Sequence, residues 1–178
     1  MSLCSIAIDS PVGRLTVFAT DDAIVSIAWA ADPQGEPTGV LVEARRQLQA
    51  YFEQRLTEFN LPLMPAGSPF QQRVWAAMQQ IPHGQTRSYG ELAMEVGSAP
   101  RAIGGACGHN PIPIVIPCHR VLGRNGLGGY SGGAGLATKR RLLELERSAA
   151  WNWNAALRAV YPGNLASLGG NPPLRSRI

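Results

Sequence analysis

The stretch Pro111-Ile112-Pro113-Ile114-Val115-Ile116-Pro117-Cys118-His119-Arg120-Val121 constrains this chain more than any other. Each proline fixes φ and removes a backbone donor, and each disfavours helical geometry at the residue before it. The segment is therefore expected to be a rigid, extended arm, with Ile114, Val115 and Ile116 buried. Cys118, His119 and Arg120 then leave that arm at a fixed point. A thiol beside two potential cations is a candidate low-pKa thiolate. The plain alternative is a structural cysteine, since free Cys is among the most buried residue types. The rigid lead-in and the His-Arg neighbours favour the reactive reading.

At 178 residues and 45% hydrophobic content, the chain can bury a substantial core. No apolar run approaches the roughly 20 residues needed to cross a bilayer, so no membrane role is expected. The N-terminus lacks a basic stretch followed by an apolar one, so no signal peptide is read. Cys4, Cys107 and Cys118 are an odd number without a C-x-x-C pair, which argues against a disulfide framework and a cysteine-rich zinc site. A reducing cytoplasm is the natural setting for a working free thiol. Charge is unevenly spread: residues 1–66 carry four arginines against eight acids, and residues 67–148 carry nine basic residues against four glutamates. The cysteine thus lies in the basic half, as expected of a polyanion binder.

The first half reads as scaffold. Residues 3–9, 14–19 and Ala23 to Trp29 are expected strands of an antiparallel meander, the first two joined by a turn at Ser10-Pro11-Val12-Gly13. Leu41, Ala44, Leu48, Tyr51, Phe52 and Leu56 recur at helical spacing and predict one helix packed on that sheet. Leu61 to Gly67 is the expected linker.

The second half is helical. Ser68-Pro69-Phe70-Gln71 and Ser88-Tyr89-Gly90-Glu91 are capping boxes, and each opens a helix. Ser98 is expected to cap a third helix from Ala99 to about Cys107, making a helix-turn-helix. Ala102, Gly104, Gly105, Ala106 and Gly108 leave that helix almost bare, although an interior glycine costs about 1 kcal/mol relative to alanine. Something approaches it closely: either another helix of the same domain or a nucleic-acid backbone, with Arg101 projecting. Gly123 to Gly133 is a glycine-dense loop outside any dinucleotide-binding context, and reads as substrate-lining.

The last expected helix runs from Leu136 to about Ser148. Its spacing turns Lys139 and Glu146 inward with Leu142 and Leu143, and an inward carboxylate needs a partner. Cys118, His119 and Glu146 then supply a thiol, a base and a carboxylate to fix the base. Two chemistries remain open on these residues: a cysteine hydrolase working through an acyl-thioester, or alkyl transfer onto the thiolate. The expected fold class is α+β. An N-terminal antiparallel sheet domain with a packed helix (1–66) precedes a mainly helical, winged-helix-like domain containing the helix-turn-helix (67–148). An irregular tail (149–178) follows.

The Pro117-Cys118-His119-Arg120-Val121 core resembles the O6-alkylguanine-DNA alkyltransferases, also called methylated-DNA–protein-cysteine methyltransferases. Further matching segments are Ser88-Tyr89, Arg101-Ala102-Ile103-Gly104-Gly105, Asn110-Pro111 and Tyr130-Ser131-Gly132-Gly133. The resemblance covers Gln72 to Glu146 closely and the first 66 residues more loosely. It implies a DNA repair protein that flips O6-alkylguanine, and O4-alkylthymine, from double-stranded DNA and moves the alkyl group irreversibly to Cys118. Under it, Arg101 fills the gap in the stack, and Tyr89 bonds the flipped base and donates a proton. The backbones of Val121 and Ser131 read the base edges, and Tyr130 lines the pocket. Asn110 ties the helix-turn-helix to the active-site turn, and Ala102 and Gly105 lie on the minor-groove face. His119, fixed by Glu146, takes the Cys118 proton through a water.

Single turnover, no dissociable cofactor and a monomeric protein follow. Relatives with a structural zinc hold it in the N-terminal domain; Cys4 lacks evident partners here, so no metal is expected. A non-catalytic damage sensor or regulator is the alternative, but sensors of this family carry tryptophan in place of the cysteine.

Overall fold

The computed structural model describes residues 3–146. The expectation of an irregular tail over 149–178 lies outside the described residues.

Alternation of apolar and polar residues makes the first half a meander: β1 (Cys4–Ile8), β2 (Leu15–Ala19) and β3 (Ile24–Trp29), antiparallel in that order. Ile6 faces Val17, and Val17 faces Ile27, so one side of the sheet presents a continuous apolar row. Helix α1 (Gly39–Phe52) covers that row with Leu41, Ala44, Leu48 and Tyr51, all fully buried. The helix is shorter than its apolar spacing suggests. Gln54 takes a left-handed φ of 59°, and the amides of Arg55 and Leu56 turn back to the Ala50 carbonyl. Leu56 still packs on the core, from a turn rather than from a helix. The expected linker is tied down too, because Ile24 exchanges backbone hydrogen bonds with Pro62 and Met64.

In the second half, α2 (Pro69–Gln79) and α3 (Tyr89–Val96) each start on a complete capping box, at Ser68 and Ser88. Gly97, with φ 67°, ends α3 in the left-handed region that glycine adopts without penalty. α4 (Pro100–Gly108) follows at once and completes the helix-turn-helix with α3. Its cap is Ala99, not Ser98; Pro100 at the first helical position starts it without a side-chain bond, and the Ser98 amide serves the end of α3 through Ala93. Trp75 anchors the helices, fully buried with Nε1–H donated to the Ala106 carbonyl at 2.9 Å. Strand β4 (Arg87–Ser88) pairs in parallel with β5 (Val121–Leu122), and α5 (Leu136–Leu145) closes the described chain. Among the described residues no helix is long and apolar enough to cross a membrane.

The proline arm is not extended. Ile114 has φ 76°, the Ile116 amide bonds the Ile112 carbonyl at 2.9 Å, and the segment folds into a tight turn. A β-branched residue in that region is strained by about 1–3 kcal/mol and persists only where its surroundings hold it. Here Ile112, Ile114 and Ile116 are all fully buried. Asn110 spans the turn, donating from Nδ2 to the Ile116 carbonyl at 2.8 Å and accepting the Ile112 amide at 3.0 Å.

Candidate active site

The turn delivers Cys118 into the first position of a short 3-10 turn, Cys118–Arg120, whose side chains diverge. Cys118 is 7% exposed and lines a cavity of about 1140 Å³. That is at or above the roughly 300–1,000 Å³ of ordinary small-molecule pockets, a volume large enough for a purine base. His119 and Arg120 point the other way, into Glu146.

Glu146 follows directly after α5 and is 4% exposed. Its Oε1 accepts His119 Nε2–H at 2.8 Å, Arg120 Nη2–H at 2.9 Å and the Tyr51 hydroxyl at 2.7 Å. Its Oε2 accepts Arg120 Nε–H at 2.9 Å and the Gly84 amide at 3.3 Å. Burial alone would raise the Glu146 pKa, but the hydrogen bonds from His119 and Arg120 and the Arg120 charge prevail and hold it well below the usual carboxylate range. For His119 burial prevails over Glu146 and lowers the pKa, so the imidazole is neutral at physiological pH. With Nε2–H given to an ionised carboxylate, Nδ1 carries the lone pair, and that atom is buried without a protein partner. The arrangement is a base, ready to accept a proton.

Cys118 itself is not the low-pKa thiolate that its neighbours in sequence suggest. Burial pushes the thiol up, while the Asn110 side chain, the Lys139 charge and the Tyr130 hydroxyl pull it only part of the way back. Arg120 gives the sulfur no help, because its guanidinium is committed to Glu146 and the Ile81 carbonyl. The resting group is a thiol.

Around the cavity, Tyr89 lies under the glycine loop, its hydroxyl donating weakly to the Gly129 carbonyl at 3.4 Å. Burial raises its pKa to about 12, so it stays a phenol with a proton to give. Gly128 has φ 71°, and a Cβ there would lie 2.6 Å from Tyr89 Cε2, so loop and ring require glycine. Trp29 of β3 also lines the cavity, and its ring fills the space a Cβ on Gly132 or Gly133 would need. Tyr130 and Ser131 lie on the wall, with the Tyr130 hydroxyl buried beside the sulfur. Val121 is buried, and its carbonyl already accepts the Lys139 ammonium at 2.6 Å. Unlike Tyr130 and Ser131, Val121 is not among the residues that line the cavity.

Arg101 is exposed in the first turn of α4 and lines the cavity mouth. Ala102 and Gly105 are exposed on the same helix. No protein atom lies within 4 Å of a Cβ built on Gly105 or Gly108, so no neighbouring helix demands these glycines. Among the described residues no group of three His, Cys, Asp or Glu could hold a metal ion. Sequence reasoning placed Cys118, His119, Glu146 and Asn110 together, but missed Tyr51, Trp29 and the part Arg120 takes. The apolar helical spacing of Tyr51 and the strand position of Trp29 carried no sign that either reaches the site.

Fold and site define an α+β protein whose buried thiol, with its own base, opens beside a helix-turn-helix. Two family descriptions match the chain: 6-O-methylguanine DNA methyltransferase, ribonuclease-like domain, over residues 4–65, and the DNA binding domain of the same family over residues 69–148. The methylated-DNA–protein-cysteine methyltransferase of Mycobacterium tuberculosis is 46% identical over 158 residues, covering 80% of this chain and 92% of the relative. Its counterpart from Methanosarcina acetivorans is 51% identical over 151 residues, covering 79% and 96%. Among solved structures, the M. tuberculosis O6-methylguanine methyltransferase superposes with a TM-score of 0.74 at 42% identity, covering 85% of this chain and 96% of that one. A crystal structure of the M. tuberculosis protein in complex with DNA gives 0.73 at 45% identity, covering 87% and 98%. The chain belongs to the methylated-DNA–protein-cysteine methyltransferase family.

Proposed function

We propose that this protein repairs O6-alkylguanine in double-stranded DNA by moving the alkyl group onto Cys118. The observation that carries the reading is a buried thiol opening on a purine-sized cavity, with a neutral imidazole fixed by Glu146 next in the chain. Residues 1–66 form the sheet unit and residues 67–148 the DNA-binding, alkyl-accepting unit.

The bare face of α4 meets the minor groove, where glycine lets the backbone come close. Arg101 takes the place of the target nucleotide, which rotates into the cavity. Unstacking costs a few kcal/mol, and least for a damaged or mispaired base. Tyr130 and Ser131 line the base, and Tyr89 reaches it through its hydroxyl.

The Cys118 S–H proton passes through a water to His119 Nδ1, and the sulfur displaces guanine from the alkyl carbon. A C–S bond forms and the C–O bond breaks. The departing guanine takes a proton from Tyr89, which is made good by the one His119 accepted. The sum is thiol plus O6-alkylguanine giving thioether plus guanine. O4-alkylthymine presents the same kind of leaving group. A thioether is not hydrolysed by any group in the site, so each molecule acts once, as a monomer and without a cofactor. Three free cysteines fit a reducing compartment, the cytoplasm.

The test is intact-mass measurement after incubation with duplex DNA carrying O6-methylguanine. One methyl per protein on Cys118, absent in Cys118→Ala, is expected. Binding without a mass gain, as a damage sensor would show, or repeated turnover of an ester, as a hydrolase would show, overturns the reading.

A further inference from the structure

We infer that Tyr51, on helix α1 of the sheet unit, is a positioning residue of the reacting centre: its hydroxyl holds the Glu146 carboxylate that fixes His119. The contact joins residues 95 apart in sequence and lies in a fully buried place. Its catalytic meaning rests on the alkyl-transfer reading above; the contact itself does not.

The phenol shares Oε1 of Glu146 with His119 and Arg120. Five donors converge on this carboxylate: the Tyr51 hydroxyl, the His119 ring, two nitrogens of Arg120 and the Gly84 amide. A carboxylate offers about four lone-pair sites, so these donors compete and each weakens the others. Arg120 already offsets the Glu146 charge, which leaves the carboxylate orienting His119 more than raising its basicity. Tyr51 adds to this restraint. Its ring is clamped edge-on by Phe52 at 5.2 Å and by His83 at 6.0 Å, with Phe59 tilted at 5.3 Å, so the hydroxyl has one place to go.

Without that donor Glu146 grips His119 Nε2–H harder, and the imidazole binds a proton more readily. The acidic limb of the transfer rate, set by His119 protonation, then moves to higher pH. The other titratable or charged groups facing this cluster are Arg120 from the cysteine turn, Lys139 from α5, His83 from the loop after α2, and Tyr130. None of them replaces a lost donor on Oε1.

The experiment compares the full-length protein with Tyr51→Phe, measuring methyl transfer to Cys118 from about pH 5 to about pH 9. The same two proteins are followed by NMR titration of the His119 ring, with His83→Gln and His109→Gln used to assign the three histidines. Expected for Tyr51→Phe are a limb and a ring titration both raised by roughly half to one pH unit, slower transfer near neutrality, and recovery in alkali. A fluorinated tyrosine at position 51, a stronger donor, moves both the opposite way. Profiles identical to the unaltered protein overturn the inference. So does a loss of rate uniform across pH with a lower melting temperature, which marks packing alone. If the unaltered protein takes up no methyl, the proposed function fails while the ring titration still decides the role of Tyr51.

Discussion

The Lys139 ammonium donates to the Val121 carbonyl at 2.6 Å and to the Gly129 carbonyl at 3.2 Å, joining α5 to both the cysteine turn and the glycine loop. It is the one lysine of the chain, fully buried. Burial lowers its pKa from 10.5 to about 8, and a thiolate at Cys118 or Cys107 pulls it back.

That position predicts opposite effects on reactivity and stability. Lys139→Met removes the cation facing the forming thiolate, so alkyl transfer slows by about tenfold or more, the size of a one-unit thiol shift. Stability responds through protonation. Between about pH 8 and pH 10.5 the unfolded chain binds more protons at this lysine than the folded one, so stability rises with pH across that window. Lys139→Met flattens the rise. Urea unfolding at several pH values, beside single-turnover rates, checks both.

Replacing Glu146 is a structural injury as well as a catalytic one. Glu146→Gln leaves the Arg120 guanidinium buried without its counter-ion, a change that costs about 3–5 kcal/mol. Adding Arg120→Met to it recovers much of that loss without restoring transfer. The folded pKa of Glu146 lies below its ordinary 4.5, so its contribution is present above that value and is lost as pH falls through the folded pKa. Acid unfolding of Glu146→Gln is correspondingly less steep, as denaturation curves at low pH will show.

Gly105 separates folding from docking. Its Cβ position is open, so Gly105→Leu leaves the core untouched and gains about 0.5–1 kcal/mol of helix propensity. Under the proposed docking, the same side chain stands on the face that approaches DNA. Melting temperature holds or rises while affinity for duplex falls, read by calorimetry and by fluorescence anisotropy on one preparation.

Arg101→Ala divides the duplex reaction from the chemistry. Repair of O6-methylguanine in duplex slows strongly, while reaction with free O6-benzylguanine, which needs no flipping, stays near the rate of the unaltered protein. Equal losses on both substrates would remove the intercalating role from Arg101.

Local rules made much of this legible. Ser68 and Ser88 cap their helices because the capping box is written within four residues, and the inward turn of Glu146 follows from the spacing of Leu142 and Leu143. Ser98 failed as a cap because Pro100 sets the helix start by its own backbone restriction. The proline arm misled for a related reason. Proline restricts its own φ and its predecessor's ψ, but a left-handed Ile114 held by Asn110 and by burial folds the arm back. Tyr51 and Trp29 were invisible as site residues because their partners lie far along the chain, and their spacing is that of ordinary core. The charge state of Cys118 depended on burial and on where Arg120 points, neither of which adjacency in sequence reveals.

A sulfur kept protonated in a nearly closed wall has a bearing on shelf life. Thiolates are what peroxides and stray electrophiles consume, and a reagent good for one reaction is wasted by any other. Under the proposed mechanism Cys118 stays dormant until His119 draws off its proton, which spares the protein for the lesion.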